Sequence, residues 1–339
     1  MKRWFKILCA TLGLMACDKD MIGPQEVNPG PKPVLEGRHI LVINEGNFGS
    51  GNASVSAYNP ETEQVQHNVY SGFNENTPMG DVLQDVQQYR GRYYLVMNNS
   101  GKVITVDTLS LKNIGEIDGL QNPRYISFYE DRAFVTELYA KKLKVINVNT
   151  MKVEQEIAMP ESGFHTTVWN DKIWVGSKQY LVRVSAETLD IDSTYTLRKN
   201  VERMAVDHQN RMWVLTTEAP SHLYRLSQGG VIEEDWTFGS DKKPLYLEVS
   251  PDGRHLYFVM DDAVFRQNVG VSSFQPEKVL NFAGQNVYGF DVDPESGELY
   301  LADALDYNQP STIYRYSHDG VLLDQFKAGV ISNGFCFGN

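Results

Sequence analysis

The chain has 339 residues, of which 42% are hydrophobic and 22% charged, with a formal net charge of −12. That apolar fraction supports a packed core and excludes a chain that is disordered throughout. Forty-three acidic side chains against 31 basic ones give no overall attraction to nucleic acid or anionic lipid. The three cysteines, Cys9, Cys17 and Cys336, leave no internal disulfide or multi-cysteine metal site for the body of the protein.

Lys2, Arg3 and Lys6 precede an apolar stretch over residues 7–16 that is too short to span a bilayer as a helix. It ends Leu14-Met15-Ala16-Cys17, which resembles a bacterial lipobox, and the resemblance implies lipidation at Cys17. Asp18-Lys19-Asp20 then resembles the short charged export signal of Bacteroidetes surface lipoproteins. Proline and glycine recur up to Gly37, a composition that favours an extended tether. The expected division is a signal over 1–16, a lipidated cysteine and tether over 17–38, and one folded domain over 39–339.

From His39 onward one short strand pattern repeats at a period near forty residues. Its copies are Ile40-Leu41-Val42, Tyr94-Leu95-Val96, Ala133-Phe134-Val135, Ile173-Trp174-Val175, Met212-Trp213-Val214, Leu256-Tyr257-Phe258 and Leu299-Tyr300-Leu301. Six copies follow a polar turn, such as Trp169-Asn170-Asp171-Lys172 or Pro251-Asp252-Gly253-Arg254, and each is followed by a further strand. Helical periodicity over ten or more residues is absent after the tether. This spacing predicts an all-β chain, a seven-bladed propeller of four-stranded antiparallel blades. The first copy lacks a preceding strand, and the segment Ser332-Asn333-Gly334-Phe335-Cys336-Phe337 supplies one. Closing the first blade with the last strand removes the exposed sheet edges of an open array. Cys336 then falls on an innermost strand and reads as a small buried hydrophobe.

The repeated strand, as in Ala133-Phe134-Val135-Thr136, resembles the YVTN-type β-propeller repeat over most of residues 39–339. Ile43-Asn44-Glu45-Gly46-Asn47-Phe48, with Asn52-Ala53-Ser54-Val55-Ser56, Pro78-Met79-Gly80-Asp81 and Gln84-Asp85-Val86, is similar to a group of Bacteroides surface lipoprotein propellers. That group includes a capture protein for vitamin B12 and other corrinoids. The resemblance implies outer-membrane anchoring, an exterior-facing domain and delivery of ligand to a TonB-dependent transporter.

No motif for catalysis stands out. The seven histidines form no H-x-H or H-E-x-x-H pair, and neither a G-x-S-x-G elbow nor a P-loop is present. Gly46, Gly49 and Gly51 belong to a loop, since no helix follows them. No cofactor is required. Asp291-x-Asp293 and Asp261-Asp262 could contribute to calcium binding, although aspartates in these positions more often stabilise turns.

A propeller binds ligands where loops converge on the central channel. The expected contributors are Asn44, Glu45, Phe48, Asn76, Asn98, Arg124, Tyr125, Glu137, Tyr139, His165, Lys178, Tyr180, Arg203, Tyr246, Tyr288 and Asp303. Amides, phenols and guanidinium groups suit a large polar ligand edged with carboxamides and bearing a phosphate, such as cobalamin. Two other readings stay open: an envelope propeller that binds only proteins, and a propeller lactonase, lyase or quinoprotein using Glu45, Glu137, His165 and Asp303.

Overall fold

A computed structural model of the chain describes residue 35 and residues 37–282 and 284–338. The Leu14–Cys17 motif and nearly all of the 17–38 tether lie outside the described residues. The described residues form seven four-stranded antiparallel sheets. Blade I comprises Ile40–Asn44, Ser54–Asn59 and Gln64–Gln66, and its innermost strand is Ser332–Phe337 from the far end of the chain. Blades II to VII follow in order, with innermost strands Leu83–Tyr89, Pro123–Tyr129, Thr166–Trp169, Val201–Val206, Leu245–Val249 and Val287–Val292. Each innermost strand touches the next, and Val287–Val292 returns to Ser332–Phe337, so the ring is closed.

Burial changes outward along each blade. Second strands such as Arg92–Met97 and Met212–Thr216 are buried along nearly their whole length, because each blade is stacked between two others. That position explains why they read as continuous apolar runs rather than alternating ones. Outermost strands are solvated, as in Lys152–Ala158, where Ile157 alone is buried. Apolar clusters fill the spaces between successive blades: Phe134, Leu143 and Val145 of blade III meet Ile173, Val175 and Val182 of blade IV. At the seam, Ile40, Val42 and Tyr58 pack on Tyr300, Ala302 and Ile313 of blade VII.

The hairpins follow ordinary turn chemistry. Asn170-Asp171 and Asp261-Asp262 all have positive φ, between 51° and 55° except for 50° at Asp261, as a two-residue type I′ turn requires. One helix, Val69–Phe73, interrupts the all-strand pattern after the third strand of blade I. It is one turn long, too short for its periodicity to be legible in sequence.

The seam is held by polar contacts as well. Asn44 is fully buried, donates to Ser54 Oγ and Ser56 Oγ at 3.2 Å, and accepts from Gly329 N and Ser332 Oγ. Arg38 pairs with Asp293 at 2.5 Å and Glu295 at 2.9 Å, fastening the start of blade I to blade VII.

Candidate functional site

The seven innermost strands surround a channel cavity of about 1230 Å³. It runs along the strands, from Glu45, Phe48 and Tyr139 at one end to Gln88 and Pro294 at the other. Six of the seven strands slip register against their neighbour near the first of these ends, which we call the mouth. The slips fall between Leu83 and Asp85, Pro123 and Ile126, Val201 and Arg203, Leu245 and Glu248, Val287 and Gly289, and Ser332 and Gly334. Thr166–Trp169 of blade IV pairs without one. A bulge leaves residues unpaired and re-aims their side chains. Here the bulged residues include Gln84, Arg124, Tyr125, Glu202, Tyr246, Tyr288 and Asn333, and all of them line the channel.

At the mouth, Tyr125 and Phe164 meet edge to face with ring centroids 5.1 Å apart, and His165 lies 5.6 Å from Tyr125. Two guanidinium groups flank these rings. Arg124 is 4.8 Å from the Phe164 centroid and Arg203 is 4.8 Å from that of Tyr125, distances at which cation–π attraction operates. Burial, with the charge of Arg203, pushes the His165 imidazole down to about 3, so it is neutral at ordinary pH. Glu45 accepts from Asn333 at 2.9 Å, Tyr288 at 3.1 Å and Gln84 at 3.4 Å. Burial still raises its pKa above the usual carboxylate value.

Deeper in the channel three carboxyl groups gather. Asp85 is pushed up to about 6 by burial, against the bonds it accepts from Gln87 Nε2 and Ile126 N. Asp291 is raised to about 7 by burial although it accepts from Phe335 N at 2.8 Å. Glu248 is raised well above its ordinary value by burial and by the charge of Asp291. The charge of Arg203 partly offsets the shift at all three. Carboxyl groups raised in this way are common where chemistry or ligand exchange occurs.

Ten of the sixteen sequence-proposed residues line the channel: Glu45, Phe48, Asn98, Arg124, Tyr125, Tyr139, His165, Arg203, Tyr246 and Tyr288. The other six have structural partners outside it. Asn44 locks the seam, and Asn76 forms the turn after the short helix, bonding Ser71 O. Glu137 is fully buried beneath its loop, where it accepts from Gln121 N at 2.6 Å and lies 3.8 Å from Lys144. Lys178 pairs with Glu161 at 3.4 Å, and Tyr180 packs on the layer between blades III and IV. Asp303 accepts from Gln285, Asn286 and Leu305 amides, each at 2.9 Å. A buried carboxylate or amide is drawn to backbone N–H groups, so proximity to a loop overstated exposure for Asn44, Glu137 and Asp303.

The two aspartate pairs considered for calcium also separate. Asp291 faces the channel, whereas Asp293 accepts from Glu295 N, Ser296 Oγ and Arg38. Asp261 pairs with Lys242 at 2.5 Å. Among the described residues no group of three or more His, Cys, Asp or Glu side chains is placed to hold a metal ion.

Sequence reading missed Phe164, Glu248 and Asn333 as channel residues and considered Asp291 only as a calcium ligand or a turn acid. The signal was present at the start of each first strand: Leu83-Gln84-Asp85, Pro123-Arg124-Tyr125, Val201-Glu202-Arg203, Leu245-Tyr246, Val287-Tyr288 and Ser332-Asn333 each place a polar or aromatic residue after the opening one. Aligned by blade phase, that column coincides with a bulge in these six blades, while Thr167 holds the same place in blade IV without one.

No curated protein matches the sequence significantly. Among solved structures, a quinonprotein alcohol dehydrogenase-like protein from Bacteroides thetaiotaomicron matches with a TM-score of 0.71 and 15% identity, over 89% of this chain and 78% of that one. The periplasmic gluconolactonase PpgL of Pseudomonas aeruginosa matches with a TM-score of 0.69 and 14% identity, over 89% and 99%. At such identities the likeness is one of fold. The model of one family matches residues 38–320, nearly the whole ring, and the chain belongs to that family, Domain of unknown function (DUF5074).

Proposed function

We propose that the protein is a ligand-capture lipoprotein of the outer membrane, anchored through Cys17 and facing the exterior. It binds a large polar ligand, a corrinoid such as cobalamin or cobinamide, at the channel mouth and passes it to a TonB-dependent transporter. The observation that carries this reading is the mouth itself. A cavity of about 1230 Å³ exceeds the usual range for small-ligand sites and suits a macrocycle. Phe48 and Tyr139 line it while remaining 77% and 76% exposed. Large aromatic side chains held in water at a cavity rim favour a flat partner that covers them. Below the rim, the side-chain oxygen of Asn333 is enclosed without a partner and suits the N–H of a carboxamide. The lipobox resemblance supports the anchoring.

Calorimetric titration of the full chain with cobalamin and with cobinamide tests the reading. Saturable binding of either is expected, and its absence at micromolar ligand would remove the corrinoid assignment.

A second reading has one observation in its favour. The protonatable carboxyl groups of Asp85, Glu248 and Asp291 resemble an acid–base site, and one fold neighbour is a gluconolactonase. Under that reading the purified protein hydrolyses an aldonolactone, and Glu248→Gln abolishes turnover without unfolding the ring.

A further inference from the structure

The channel mouth contains a guanidinium whose inner donor has nothing to bond. Arg124 sits at a strand bulge with its charge over Phe164 at 4.8 Å and Tyr125 at 5.9 Å. Its Nε is enclosed, yet it has no hydrogen-bond partner. The carboxylate that feels its charge is Glu45, whose oxygens are already engaged by Asn333, Tyr288 and Gln84. An enclosed donor without an acceptor costs free energy, so the site is completed only when an acceptor arrives.

The geometry defines that acceptor. Nε with a neighbouring Nη forms a parallel fork that matches two oxygens of a carboxylate or phosphate. His165 stands against the same tyrosine ring, and its Nδ1 is also enclosed without a partner. Arg203 differs from Arg124 in having a carboxylate of its own, Glu202, at 3.9 Å to offset its charge.

We propose that Arg124, with His165 beside it, forms an anion subsite at the channel mouth that takes a phosphate or carboxylate group of the captured ligand. The proposal rests on the ligand-capture reading and specifies which part of the ligand docks first. The shared chemistry is an oxyanion, either free or carried on a larger molecule.

Calorimetry on the full chain separates these cases with inorganic phosphate, cobalamin (which carries a phosphodiester) and cobinamide (which lacks one). Arg124→Gln is expected to weaken phosphate and cobalamin about 10- to 100-fold, the range for charge-assisted bonds, and to leave cobinamide within about twofold. Arg124→Lys keeps the charge but loses the fork, and should recover only part of the affinity. Circular dichroism and melting of each variant identify any that has not folded, and Arg124→Lys then stands in for Arg124→Gln. Phosphate binding that depends on Arg124, in a protein that takes neither corrinoid, leaves the subsite standing and removes the corrinoid reading. Equal losses for cobalamin and cobinamide, or Arg124→Gln binding phosphate and cobalamin as the parent does, overturns the subsite and leaves capture intact.

Discussion

Trp213 and Arg203 stand on adjacent strands of blade V, where Ala205 pairs with Trp213. Trp213 is fully buried between blades V and VI, its ring 5.2 Å from Trp236 and its Nε1 bonded to Asp207 at 2.9 Å. Arg203 faces the channel among carboxyl groups whose pKa values it lowers. The layers between blades are dry and apolar, and they supply the stability of the ring. The channel concentrates charge in an enclosed space, which costs stability and offers chemistry. The fold places these regions one strand apart, and the bulges re-aim the mouth-side residues into the channel above the deeper acids.

The comparison breaks most sharply at a layer residue. Trp213→Ala is expected to lower unfolding free energy by about 3–5 kcal/mol, read by denaturant titration. A much smaller loss would mean that the layer between blades V and VI contributes little to ring stability.

Next in size is the contact between inner strands at the seam. A Cβ on Gly289 would stand 2.8 Å from the Asn333 carbonyl carbon and 2.9 Å from Gly334 N, backbone atoms that cannot move aside cheaply. Gly289→Ala should therefore cost about 1–3 kcal/mol in thermal melting. At Gly334 the nearest atom is Asp291 Oδ2 at 3.4 Å, so Gly334→Ala should cost less. The reverse order would contradict the close packing of the seam.

The channel acids give an effect of opposite sign. Asp291, with a folded pKa of about 7, keeps its proton to higher pH than in the unfolded chain, where it titrates near 4. Its contribution to stability is thus gained as pH falls through about 7 and lost as pH rises. Asp291→Asn retains an oxygen for the Phe335 amide and should stabilise the unliganded protein at pH 8 by about 1–2 kcal/mol, a few degrees in melting temperature. The gain should shrink as pH falls below 7 and approach zero only below about pH 4, where the carboxyl is protonated in the folded and unfolded chain alike. A gain that does not vary with pH would show that ionisation of Asp291 is not its source.

The smallest stability change belongs to the rim. Phe48→Ala and Tyr139→Ala should alter stability by no more than about 0.5 kcal/mol, since both side chains are exposed, while weakening corrinoid binding at least about fivefold. Unchanged affinity in both variants would separate the rim from the ligand.

Much of this was legible from the order of residues alone. The period near forty, the apolar second strands and the split first blade determine a seven-bladed ring, because each is a consequence of stacking one sheet between two others. Chain order also located the mouth loops, and with them Glu45, Phe48, Tyr139 and the inner-strand residues Arg124, Tyr125, His165, Arg203, Tyr246 and Tyr288. It could not distinguish those from Glu137 and Asp303, which end second strands and accept from backbone N–H groups just ahead of their own blades' first strands. Nor could it show that Asp85, Glu248 and Asp291, distant in sequence, share one channel with Arg203. Whether a side chain faces the channel or the layer depends on a one-residue slip in strand pairing. A slip leaves apolar periodicity almost unchanged along the chain, and only the neighbouring strand, brought alongside in the closed ring, decides it.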